Sequence, residues 1–449
     1  MIETLIAFAL ISGIIFAGFI GEMLFRKLGI PGVLLLLALG YMLGPVTHGL
    51  DVEMLKSVGY IVGPLALVVL LFDGGMRMNI FQLIHGGGRG VLMAVLVTIL
   101  SILAVTGIWV ALGYDPLMGA VLGAILGGTT STMVVSIVSG LKMSDEARQF
   151  VLIDAALTDV LAVILTIALM SIVVTHNASV QGTGKEILGS FSTGAVIGGL
   201  IGLAWIALSK KLRQIDFFYM VTLAIILIAY MAAEYFGGSG AIAALVIGIM
   251  LGNYKEIGQM LKFKDVADDA ELLTFQNEFG FLVRSFYFVY LGSMVVIGSA
   301  YSIVVGGAMM LGLAVARFLS TRISTWGSPI SKYSKYINAF MPRGLAAAVM
   351  GGYPAVVLLE SQGTIPPEVF APLYAQAELF VEIAFVVIIL SVVLTAVGAV
   401  LLRRGEAKGD KEQQELEKEV EERLKKMGRN GENPEPEGGP EKGSETSGD

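Results

Sequence analysis

The stretch DAALTDVLAV at 154–163 places two carboxylates and a threonine inside an apolar run that extends from 150 to 174. Ionisable side chains at bilayer depth are costly to bury, and they mark ion or proton paths. A carboxyl group with little water around it binds a proton and a cation in competition. On a helix, Asp154 and Asp159 stand about 140° and roughly 7.5 Å apart, so they do not share a face. Asp154 and Thr158 do share one, at i and i+4. Asp159 has the better claim as the titrating ion ligand, with Thr158 as its neutral neighbour and Asp154 as a second acid. The alternative for either acid is a buried carboxylate paired with an arginine for folding alone.

Seven further ionisable residues fall inside apolar runs, namely Asp73, Glu234, Arg284, Arg317, Arg343, Glu378 and Glu382. Arg343 is expected to neutralise Asp154 or Glu234. Asp73 in LLFDGGM (70–76) and Arg284 in LVRSFYF (282–288) are read as pairing or scaffold residues. Arg317, Glu378 and Glu382 are assigned to cytoplasmic or funnel-lining positions. No cysteine is present, which removes thiolate nucleophiles and zinc–thiolate sites. The three histidines, His48, His85 and His176, fall in predicted loops and argue against a histidine metal centre. GGGRG (86–90) lacks the following Lys-Ser/Thr of a phosphate loop. No cofactor is expected.

The elements that must hold these groups are apolar helices. The chain is 55% hydrophobic and 15% charged over 449 residues, with a mean hydropathy of +0.78. Runs of about 20 apolar residues recur, each long enough to cross a bilayer. The reading is an all-α polytopic membrane protein with thirteen spans at 4–25, 29–46, 57–76, 89–113, 116–139, 147–175, 186–209, 215–236, 238–254, 272–298, 300–325, 335–359 and 376–402. The loops after odd-numbered spans hold fifteen lysines and arginines, and the alternate loops hold only Lys56 and Lys185. That asymmetry places the N-terminus outside and the C-terminus in the cytoplasm, in a cell membrane. The first segment carries Glu3 and no basic n-region, and reads as a span rather than a signal peptide.

Spans 5 and 12 contain GAILGGTTSTMVVS (123–136) and MPRGLAAAVMGGYP (341–354). Their glycines, prolines and hydroxyls predict breaks in the helix, which membranes tolerate only around a polar cavity. They occupy the fifth place in two six-helix halves, 1–6 and 8–13, which would be related by inversion. Paired broken helices point to a transport site at the midplane, the alternative being that the glycines serve close packing alone. Carbonyls freed by span 5, with the hydroxyls of Thr129 and Thr130, would complete an oxygen shell around a hard cation at Asp159. The transmembrane domain is placed at 1–403. The tail at 404–449 is acidic, with 14 acidic against 8 basic residues after 404; a short helix is expected at 411–427 and disorder beyond it.

LLFDGGM (70–76), LGGTTSTMVVSIV (126–138), DAALTDVLAV (154–163), AEYFGGSGAIAALVIGIMLGN (233–253), FLVRSFYFVYLGSM (281–294) and MPRGLAAAV (341–349) occur in an order that resembles the monovalent cation:proton antiporter superfamily, closest to NhaP/NHE-type exchangers. The resemblance covers residues 1–403. It implies a homodimer, crossed helices 5 and 12, and elevator-like alternating access. It also implies that Asp159 binds the cation or proton and that Arg343 pairs with acids nearby. The chain departs from the family pattern in two places. Asp154, Ala155 and Thr158 replace a glutamate, serine and asparagine, and Thr129, Thr130 and Ser131 stand where Thr-Asp-Pro is usual. The GTTST stretch looks more like the Kef-like potassium–proton branch. The expectation is antiport of Na⁺ or Li⁺ for H⁺, electroneutral because threonine cannot titrate, with K⁺/H⁺ antiport as the alternative. A channel would need a continuous pore and a filter, and no filter-like repeat is visible. An intramembrane aspartyl protease would need aspartates on two facing helices.

Overall fold

The computed structural model describes residues 11–21, 23–24, 32–47, 52–78, 80–81, 87–175, 180–212, 218–260, 270–294, 300–363 and 365–429. The three histidines and the stretch beyond Arg429 lie outside the described residues. The chain divides into two units, residues 1–400 and 401–449.

The described part is helical. In chain order the helices are α1 (Ile11–Gly21), α2 (Gly32–Tyr41, followed by a π-helical turn Met42–Val46), α3 (Val52–Arg77), α4 (Gly88–Ala111), α5 (Pro116–Gly127), α6 (Ser131–Val138), α7 (Asp145–Val174), α8 (Val180–Leu212), α9 (Phe218–Tyr235), α10 (Gly240–Gly252), α11 (Tyr254–Met260), α12 (Ala270–Met294), α13 (Ala300–Ser324), α14 (Ser334–Ala339), α15 (Leu345–Glu360) and α16 (Pro367–Arg429). Among the described residues six helices are long and apolar enough to cross a membrane, or seven if α10 and α11, bent by 76°, count as one. The short tail helix expected at 411–427 is instead the end of α16.

Local signals account for the starts. Asp115 accepts from the backbone N–H groups of Leu117 and Met118 at 2.8 and 2.9 Å, ahead of Pro116 at the first position of α5. Ser144 caps α7, with Asp145 and Glu146 in its first turn.

Two helix pairs pack backbone to backbone. A Cβ on Gly248 of α10 would strike the carbonyl of Phe72 on α3, and one on Gly292 of α12 would strike that of Leu37 on α2. Small residues allow such approach where the lipid supplies no hydrophobic drive for helix association. Elsewhere α4 packs on α5, α7 and α13, and α15 touches α3, α7 and α12.

Candidate functional site

The sequence breaks spans 5 and 12, and the two breaks touch. Residues 128–130 separate α5 from α6, and 340–344 separate α14 from α15. The backbone N–H of Thr130 donates to the Pro342 carbonyl at 2.8 Å. Gly344 lies so close to Thr130 that a Cβ would collide with its hydroxyl, so the contact needs glycine.

Arg343 lies where the two breaks meet and is fully buried. Its Nη1 donates to the carbonyls of Gly127 and Gly128 at 2.9 and 2.6 Å and to Thr129 Oγ1 at 3.0 Å. These acceptors include the C-terminal end of α5, where helix carbonyls lack partners and the dipole favours a cation. Among the described residues Arg343 makes no ion pair within 4.0 Å; its charge acts on Asp154 and Asp159 through space, so neutralisation of Asp154 is electrostatic and not by contact. Glu234 is exposed, and its Oε1 accepts from the Gly240 N–H at 2.7 Å, at the start of α10.

Helix α7 meets the break with three side chains. Asp159 Oδ2 accepts from the Ser131 N–H at 3.0 Å and from its hydroxyl at 3.3 Å. Thr158 Oγ1 accepts from the Thr129 N–H at 3.1 Å and donates to the Asp154 carbonyl at 2.9 Å. Asp154 Oδ2 pairs with Arg317 Nη1 at 2.6 Å, and neither side chain is more than 1% exposed. Arg317 also donates from Nε and Nη2 to the Ile337 carbonyl, at 3.2 Å each. Arg317 therefore ties α7 to α14, which corrects its assignment to a cytoplasmic or funnel position. Glu382 accepts from Ser302 Oγ at 2.5 Å, and Glu378 is exposed.

A cleft opens on one side of this assembly. Asp159, Thr130, Ser131 and Thr132 line it from the α5–α7 side, and Asp73 and Arg284 face them from α3 and α12. Asp73 sits 3.0 Å from Arg77 Nε and 3.6 Å from Arg284 Nη1. Asp154, Thr158 and Thr129 are not among the lining residues. The hydroxyls of Thr129 and Thr158, expected in an ion shell, are turned to Arg343 and to the backbone of α7. Thr130 Oγ1, on a residue that lines the same cleft as Asp159, is buried with no hydrogen-bond partner among the described residues. Among the described residues no three acidic or histidine side chains cluster for a metal; the carboxylates that line the cleft are Asp159 and Asp73, and Asp73 is paired with Arg77 and Arg284.

Sequence reasoning missed Ser131 and Arg317. Ser131 lay in a visible hydroxyl cluster. Nothing in the sequence ties Arg317 to an aspartate 163 positions away.

A family model described as "Sodium/hydrogen exchanger, transmembrane" matches residues 9–404. Among curated proteins, "K(+)/H(+) antiporter NhaP" of Alkalimonas amylolytica is 29% identical over 255 residues, which is 54% of this chain and 43% of that protein. The chain thus aligns with less than half the length of this relative. "Na(+)/H(+) antiporter 1" of Methanocaldococcus jannaschii is 24% identical over 397 residues, 84% of this chain and 90% of that protein. Among solved structures, the sodium proton antiporter MjNhaP1 from M. jannaschii superposes with a TM-score of 0.72 at 20% identity, covering 89% of this chain and 98% of the other. That likeness shows a shared fold.

Proposed function

Because the chain belongs to the sodium/hydrogen exchanger transmembrane family, of the NhaP/NHE type, we propose that it is a secondary antiporter in which H⁺ and a monovalent cation compete for Asp159. The observation that carries this reading is the position of Asp159. Among the described residues it is the one carboxylate that both touches the break of a discontinuous helix and lines the cleft. In one half-cycle the Oδ1–H bond breaks, its electron pair stays on oxygen, and the proton passes to water in the cleft. The carboxylate then takes the cation, aided by the unpartnered Thr130 hydroxyl. Competition for a single group couples the two fluxes without another energy source.

Asp154 is locked to Arg317 and Thr158 cannot titrate, so this part of α7 offers the cleft one exchangeable charge. One cation for one proton, hence electroneutral exchange, follows. An oxygen-only shell suits the small hard cations Na⁺ and Li⁺. A second reading, K⁺/H⁺ antiport, is favoured by the single charge in that shell, since a weak field discriminates less against a large ion.

Helix packing supports two inverted halves. Exchanging spans 1–6 with 8–13 turns the α2–α12 contact into the α10–α3 contact. It maps the α3–α12 and α4–α13 contacts onto themselves, as it does the touching breaks. Such repeats move against each other to expose a midplane site alternately. We further read thirteen spans, the N-terminus outside and the acidic tail in the cytoplasm, a plasma-membrane location and a homodimer.

The test is exchange in proteoliposomes with Na⁺, Li⁺ and K⁺ in turn, with the membrane potential free or clamped. Rates that rise with Na⁺ or Li⁺ and ignore the clamp support electroneutral Na⁺/H⁺ exchange. Rates that rise with K⁺ alone favour the second reading, and a current that needs no pH gradient contradicts both.

A further inference from the structure

We infer that Ser131 sets the pH range of exchange by holding Asp159 Oδ2 with two donors, so that proton and cation compete for Oδ1 alone. The inference rests on Asp159 being the exchanging carboxylate.

The geometry is asymmetric. Oδ2 accepts the Ser131 N–H at 3.0 Å and the Ser131 hydroxyl at 3.3 Å, while Oδ1 accepts no hydrogen bond among the described residues. Ser131 is the first residue of α6, so Asp159 also caps the N-terminus of that helix from outside the chain segment. The positive end of the helix adds to the attraction. A proline at this position would have no N–H to give and no hydroxyl. Serine therefore contributes two contacts that proline cannot.

The other charged groups that face Asp159 are fixed by partners of their own. Asp73 on α3 and Arg284 on α12 line the same cleft and form an ion pair at 3.6 Å. Arg343 is engaged with the carbonyls at the end of α5. On α7 itself, Asp154 is paired with Arg317. Only Ser131 donates a hydrogen bond to Asp159 among the described residues.

Both donors favour the ionised carboxylate over its protonated form. Removing them lets the proton compete up to a higher pH, so exchange should begin at a more alkaline pH. Helix α6 tolerates the informative substitutions. Proline is favoured at the first helical position, and Thr130 before it is already extended (φ −67°, ψ 111°), as a residue preceding proline should be.

The experiment is the pH profile of reconstituted exchange for the parent, Ser131→Ala, Ser131→Pro and Ser131→Thr, with Asp159→Asn alongside. Ser131→Ala loses the hydroxyl only, and its midpoint should move alkaline by about 0.5 pH unit. Ser131→Pro loses both donors and should move by about 1.5 units. Ser131→Thr keeps both and should titrate like the parent. A structural defect would lower the maximal rate without this graded movement of the midpoint. Unmoved midpoints in the alanine and proline variants, with Asp159→Asn inactive, overturn the role of Ser131. Exchange that persists in Asp159→Asn overturns the reading beneath it instead.

Discussion

Arg317 Nη1 lies 2.6 Å from Asp154 Oδ2, and both side chains are all but sealed from solvent. An isolated charge at that depth is far costlier than the pair, so breaking the pair should cost about 3–5 kcal/mol. We expect Arg317→Ala and Asp154→Ala each to lower the melting temperature of the purified protein sharply. The double variant Arg317→Met/Asp154→Leu should recover most of the loss. If Arg317→Ala melts like the parent, the pair does not hold α7 to α14.

Gly344 and Thr130 meet where the two breaks touch. A methyl group at 344 would strike the Thr130 side chain. Gly344→Ala is expected to destabilise by about 1–3 kcal/mol, the usual cost of overpacking. Adding Thr130→Ala should restore much of it, because the side chain that is struck is then shortened. The two variants and their combination, followed by thermal unfolding, decide this: additive losses contradict a direct clash.

Arg343 satisfies carbonyls that the break of α5 leaves without helical partners. Arg343→Lys keeps the charge but not the planar fork, and should retain part of the stability. Arg343→Leu leaves two carbonyls and the Thr129 hydroxyl unsatisfied, at roughly 1–3 kcal/mol for each buried group. Equal melting temperatures for these two variants would show that the charge at the helix end is unimportant.

Asp73 faces Asp159 across the cleft and is held by Arg77 and Arg284. The pair is partly exposed, with side chains 23% and 12% accessible, so Asp73→Asn should cost little stability, about 1 kcal/mol or less. It also removes a like charge and leaves Arg284 less neutralised. The exchange profile should then move to lower pH, since the proton competes less well at Asp159. A profile that moves to higher pH contradicts the electrostatic coupling between the two sides of the cleft.

Spacing made the breaks legible, because glycine, proline and hydroxyl clusters in two apolar runs have few other uses. It also singled out Asp159, a carboxylate in oil on a helix beside one of those breaks. Arg317 was not legible. On its own helix it is an arginine near a run of small and apolar residues, and its burial depends on an aspartate from a helix far away in sequence. Arg343 showed the reverse failure. An arginine beside intramembrane acids invites pairing with them, yet the freed carbonyls of Gly127 and Gly128 lay closer. Buried backbone carbonyls at a helix break also need donors, and they took this one. The same oversight hid Ser131, which reaches Asp159 with its backbone N–H as well as its side chain.

The central claim is that one carboxylate carries both ions. Its most direct test is cation-driven pH change in proteoliposomes containing Asp159→Asn, with correct folding checked by thermal unfolding. The account predicts a folded protein with no exchange at any pH and with any of Na⁺, Li⁺ or K⁺. Cation-coupled proton movement through a folded Asp159→Asn protein would contradict it.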